Sequence, residues 1–193
     1  MHHLNVEKPV LSGWSMGASV IFSYLDHYTD EGVAGVVVVD QTPKIVSDET
    51  WAFGALGIDA AGVEQTAAAI RADYAGFLSG FIPSMFAGGV SDEDLQRYSA
   101  IAQLLGADYA AALLKDHALR DWRDVVARFK KPLLAVSGAQ YAAANGAAGI
   151  RSLLPHAQTA VFQESAHCCF LEEADKFEML LDEFISGIER QHS

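Results

Sequence analysis

Residues 9–28, PVLSGWSMGASVIFSYLDHY, decide how this chain is read. They open on a short apolar run, cross Gly13-Trp14-Ser15-Met16-Gly17, and continue with Ala18, Ile21, Phe22 and Leu25 at helical spacing. A strand, a very tight turn and a helix are predicted in that order. Ser15 sits on the turn in the pattern G-x-S-x-G, the arrangement of a nucleophile elbow. A side chain on so sharp a strand-to-helix turn is pushed clear of the sheet. Only glycine-sized residues are expected to fit two positions before and after it. The first amides of the helix, Met16 N–H among them, then face any negative charge that develops beside the serine. Such a pentapeptide arises by chance in roughly one chain in fifteen of this size, so the flanking strand and helix carry the reading.

Working outward, three more runs read as strands: 36–39 (VVVV), 133–136 (LLAV) and the weaker 159–162 (TAVF). Continuous apolar strands without polar alternation suggest a mostly parallel sheet covered by helices on both faces. Helices are expected over 18–28, 146–154 and about 174–190. The last sets Phe177, Leu180, Leu181, Phe184, Ile185 and Ile188 on one face. This is the α/β alternation. Residues 45–129 break it, with no convincing strand and several helical stretches. One runs through 62–81 (GVEQTAAAIRADYAGFLSGF), one starts at Ser91 as a cap before Asp92, Glu93 and Asp94, one is 107–119, and one follows Asp121. The expected organisation is a core of 1–44 and 130–193 with a helical cap inserted at 45–129.

A serine needs a base to become a nucleophile. His167, in ESAH just after the fourth strand, is the candidate. His27 and His117 fall in helices, His156 follows a helix-ending proline, and His2, His3 and His192 lie near the ends. The order Ser, acid, His fits this architecture. Residues 137–160 contain no Asp or Glu, whereas the second strand ends VVVVD and places Asp40 at its carboxyl edge. Asp40 is therefore the expected acid that orients His167, with turn-capping as its plainer role and Glu164 as the backup. Trp14 and Met16 flank the serine and are expected to line an acyl pocket. Trp51, Phe53, Phe77, Phe81, Met85 and Phe86 are read as the core of the cap. Cys168 is either a redox-sensitive thiol or, in the preferred reading, a small buried hydrophobe.

Composition narrows the field. With 193 residues and 51% hydrophobic content the chain can bury a real core. A net charge of −12, from 13 basic and 25 acidic residues, argues against nucleic acid or an anionic membrane as partner. No apolar run approaches membrane-spanning length, and the opening MHHLNVEKPVL lacks the layout of a signal peptide. The two cysteines are adjacent, which excludes a disulfide framework and suits a reducing, cytoplasmic compartment. No metal, phosphate-loop or dinucleotide motif is present, so no metal and no cofactor are expected.

With the elbow, Asp40 and His167 placed, the sequence resembles the α/β-hydrolase superfamily, nearest its serine esterase and non-haem haloperoxidase-like branch. The resemblance rests on VLSGWSMGASVIFSYL, VVVVDQTPK, KPLLAVSGAQY and ESAHCCFLEEADKF. It implies Ser15 as nucleophile, His167 as base, Met16 N–H as oxyanion donor and Asp40 in a position that some members use for the acid. It also implies several strands ahead of the elbow strand, where this chain has about nine residues. The opening residues read as the end of a helix, so an N-terminally truncated form of the fold is expected, with the elbow strand at an exposed edge that a second copy could pair with. The expected function is cleavage of carboxylic esters or related acyl compounds through an acyl-enzyme. A perhydrolase or haloperoxidase-like activity would use the same residues. The alternative is a catalytically impaired, ligand-binding or partner-dependent domain.

Overall fold

The computed structural model describes residues 6–55 and 59–192. In chain order these form β1 (Val10–Trp14), α1 (Met16–Tyr28), β2 (Gly35–Val39), α2 (Ala60–Ala72), α3 (Tyr74–Ser84), α4 (Asp92–Gln103), α5 (Ala107–Leu119), α6 (Arg123–Ala127), β3 (Leu133–Gly138), α7 (Gly146–Leu153), β4 (Gln158–Phe162), α8 (Cys169–Glu172) and α9 (Ala174–His192). The strands lie in the order β1-β2-β3-β4, all parallel, with Trp14 opposite Val39 and Val39 opposite Val136.

The valine run explains the layering. Val36 and Val38 pack on one face with Phe22 of α1, Val126 of α6 and Ile150 of α7. Val37 and Val39 pack on the other with Phe162, Phe184 and Ile188. Period-two alternation with apolar partners on both sides is what a doubly covered strand requires. Because the strands are parallel, all four finish at the same end of the sheet. The turns after β1, β2 and β3 are thereby brought together, where ligands bind in open α/β sheets. Among the described residues β1 pairs only with β2, and Ser12 on it is exposed.

Two expectations are corrected. The stretch 62–81 is two helices, because Asp73 leaves helical geometry and accepts a hydrogen bond from Gly76 N–H at 2.8 Å, starting α3 afresh. The helix end expected in the opening residues is not found over 6–9, and residues 1–5 lie outside those described. Between β2 and β3 the described chain forms α2 to α6. It is tied back to the sheet by Trp122 N–H to Pro43 O at 2.9 Å and Cys168 N–H to Met85 O at 3.1 Å. No described helix is long and apolar enough to cross a membrane.

Candidate active site

Ser15 takes φ 52° and ψ −123° between β1 and α1. For a residue other than glycine this left-handed backbone costs about 1–3 kcal/mol. The turn is held on both sides: Ser15 N–H donates to Val39 O at 3.0 Å, and Ser15 O accepts from Ala18 N–H at 3.0 Å. The two flanking glycines differ, against the expectation that both are sterically required. A Cβ on Gly13 would lie 2.6 Å from the carbonyl carbon and oxygen of Gly17, whereas a Cβ on Gly17 would meet nothing within 4 Å. The helix crosses the strand above Gly13, so only the first glycine is in the contact.

Asp40 follows β2 directly, with φ 48°, and is fully buried. Its two carboxylate oxygens have separate partners. Oδ1 accepts from Gly138 N–H at 2.9 Å, and Oδ2 accepts from His167 Nδ1 at 2.6 Å. His167, itself 3% exposed, lies in the turn between β4 and α8. Tyr141 stacks on its ring at a centroid distance of 4.3 Å, Trp14 sits at 5.0 Å, and Trp14 Nε1–H donates to His167 O at 2.9 Å. Close approach of this turn depends on Gly138, where a Cβ would fall 1.8 Å from Ala166 O. With Nδ1 committed to Asp40, Nε2 is the nitrogen left to take and return a proton. Glu164, the backup acid, is exposed and its N–H donates to Glu173. Ser15 and His167 line one cavity, but no hydrogen bond joins them. Such contacts commonly tighten only when substrate binds.

His117, which reads as an ordinary helical residue in the sequence, projects from α5 into the same site. Its Nδ1 lies 3.0 Å from Ser19 Oγ of α1, and its Nε2 lies 3.2 Å from Gln41 Nε2. Gln41 Oε1 accepts from Thr42 N–H at 2.7 Å. That fixes the amide orientation and leaves Gln41 Nε2 as donor, so His117 Nε2 must be unprotonated and Nδ1 carries the hydrogen. Burial pushes His117 down to about 4, consistent with a neutral ring. No residue-level signal in the sequence pairs a histidine with partners 76 and 98 positions away.

Burial also raises Tyr141 to about 12, with the Asp40 charge adding to it, so the ring against His167 is a neutral phenol. Cys168 and Cys169 are free, buried and likewise pushed up to about 12, chiefly by burial. They are packing residues rather than reactive thiols.

A cavity of about 700 Å³ opens over Ser15, with Trp14, Met16, Asp40 and His167 at its base and α2 to α5 around it. Phe77, Phe81, Met85 and Phe86, expected to form a core of the inserted helices, line this cavity, and Phe77 also packs on the buried cluster of Ala67, Ile70 and Ala111 between α2 and α5. Helices α2 and α5 close on each other through Ala67, Ile70 and Ala111, and the apolar residues beside that contact face the cavity. Trp51 and Phe53 pack against each other at 5.0 Å, and Trp51 Nε1–H donates to Lys44 O at 2.9 Å.

The family model described as the alpha/beta hydrolase fold matches residues 1–174. A search of curated proteins finds no match. Among solved structures, an esterase from Exiguobacterium antarcticum is similar with a TM-score of 0.82 and 21% identity, over 95% of this chain and 69% of that one. A bromoperoxidase from Bacillus anthracis is similar with a TM-score of 0.83 and 20% identity, over 96% and 70%. A thermophilic esterase from Thermogutta terrifontis is similar with a TM-score of 0.75 and 20% identity, over 97% and 68%. At these identities the likeness establishes the fold.

Proposed function

This chain belongs to the alpha/beta hydrolase fold family, and on that premise we propose that it is a serine hydrolase cleaving carboxylic esters or related acyl compounds. The observation that carries the reading is the buried contact of His167 Nδ1 with Asp40 at 2.6 Å, at the base of the cavity that Ser15 enters from a strained turn. Ser15 Oγ attacks the acyl carbon while His167 Nε2 takes its proton. The bond to the alcohol oxygen then breaks, and His167 returns the proton to the departing alcohol. Water attacks the acyl-enzyme by the same route and releases the carboxylic acid, so one ester and one water give one alcohol and one acid. Asp40 holds the imidazole in register and stabilises its cationic form. Met16 N–H, the first amide of α1, is the donor to the oxyanion. Two adjacent free thiols suit a cytoplasmic setting.

A second reading, a binding module without turnover, is motivated by the absence of a Ser15–His167 hydrogen bond among the described residues. Fluorophosphonate labelling of the folded chain, with a heat-denatured control and peptide mapping, tests the two. Stoichiometric modification of Ser15 in the folded protein alone is expected. No labelling of a chain that still melts cooperatively would favour the binding module.

A further inference from the structure

The cavity above Ser15 is far larger than a short acyl group needs. An apolar cavity of about 150 Å³ is enough to hold benzene, and this one is about 700 Å³. Its walls are hydrocarbon and aromatic: Val63 and Ile70 from α2, Leu78 and Ile82 from α3, Leu114 from α5. No lysine or arginine lines it among the described residues, and the only carboxylate, Asp40, is occupied by Gly138 and His167. The polar groups away from Ser15 are also used within the protein. Tyr74 Oη donates to Ala102 O at 3.2 Å, Thr66 Oγ donates to Gly62 O at 2.9 Å, and Tyr98 Oη accepts from Arg97 at 3.1 Å. Around the opening, Phe81, Ile101 and Leu105 stay 36%, 62% and 45% exposed. They are apolar surfaces that an apolar ligand would cover.

Resting on the serine-hydrolase reading, we propose that the substrates are uncharged esters carrying one hydrocarbon group much larger than acetyl, which occupies the space between α2, α3, α4 and α5. Each methylene moved from water to such a lining favours binding by about fourfold. A carboxylate in the same place would be buried without a counter-charge. The cavity therefore selects for length and against charge. Selectivity should be loose with respect to branching or aromatic character, because the lining away from Ser15 is almost wholly apolar.

The test is turnover of p-nitrophenyl acetate, p-nitrophenyl octanoate and the p-nitrophenyl monoester of octanedioic acid, each below its solubility limit. Ethyl octanoate and octyl acetate, followed by acid release, tell whether the long group sits on the acyl or the alcohol side. Octanoate is expected to exceed acetate in kcat/KM by on the order of 10²-fold or more. The octanedioate monoester is expected to fall at least about 10²-fold below octanoate. Calorimetry on Ser15→Ala should give the same order for binding of the uncleaved esters. Ala110→Phe, which fills part of the α5 wall, should lower the octanoate-to-acetate ratio about tenfold. Octanoate turned over no better than acetate, with ethyl octanoate and octyl acetate both hydrolysed no faster than ethyl acetate, overturns this inference and leaves the hydrolase reading standing. A folded chain that hydrolyses none of these esters and takes no fluorophosphonate overturns both.

Discussion

His117 presents its unprotonated Nε2 to the side-chain amide of Gln41 at 3.2 Å, which joins helix α5 to the residue directly after Asp40. Through Nδ1 it also reaches Ser19 on the helix that follows Ser15. One neutral ring thus links the roof of the cavity to the turns that carry the candidate nucleophile and acid. Protonation would set N–H against N–H at Gln41.

That relationship makes stability depend on pH with a definite sign. The unfolded ring titrates at its ordinary 6.5, and the folded ring at about 4. Between these values the unfolded chain binds more protons, so this contribution to stability is full above 6.5 and is lost as pH falls toward 4. The loss amounts to about 3 kcal/mol at most. His117→Phe should remove this slope while lowering stability at pH 7 by about 1–3 kcal/mol, because Gln41 and Ser19 lose a buried partner. Urea unfolding of both proteins at pH 7 and 4.5 checks the pair. An unchanged slope in the variant would assign the pH dependence to other groups.

Asp40→Asn should lower kcat on fluorogenic esters by about 10⁴. The amide can still accept from Gly138 N–H, but its nitrogen or oxygen no longer holds His167 in the same tautomer with the same charge. The thermal midpoint should move by only a few degrees. Near-normal turnover would remove Asp40 from the mechanism.

The two glycines of the elbow should respond differently. Gly13→Ala drives a methyl into the backbone of Gly17 at 2.6 Å and should leave little folded protein. Gly17→Ala meets open space in the first turn of α1 and should fold, with up to about 1 kcal/mol gained from helix propensity. Circular dichroism melts of both variants decide this, and equal behaviour would contradict the packing described.

Cys168 and Cys169 should resist iodoacetamide at pH 8 in the folded chain and react after denaturation. Mass mapping before and after urea shows which holds. Rapid labelling of the native protein would mean that the turn carrying His167 opens.

Much of this molecule is written locally. Residues 9–28 contain strand, turn and helix in one continuous segment, so G-x-S-x-G could be placed without any long-range knowledge. The run VVVV-Asp likewise puts a carboxylate at the end of a buried strand, and a parallel sheet brings that end beside Ser15. Asp73 was also visible, but a polar residue within an Ala-rich periodic stretch does not announce that it will cap a new helix. That the aromatic residues from 77 to 86 also line a cavity is hidden for a related reason. Periodicity identifies the apolar face of a helix, not whether that face meets another side chain or an empty space.

The four strands, the elbow and Ser15, Asp40 and His167 as candidates are therefore legible in the sequence, because each depends on short-range pattern. Tertiary structure decided the rest: the 2.6 Å contact of His167 with Asp40, the arrival of His117 at Gln41 and Ser19, and the apolar cavity over Ser15. These depend on how α2 to α5 pack above the carboxyl end of the sheet. That packing is set by non-directional burial among residues far apart in the chain, which leaves no fixed spacing to read.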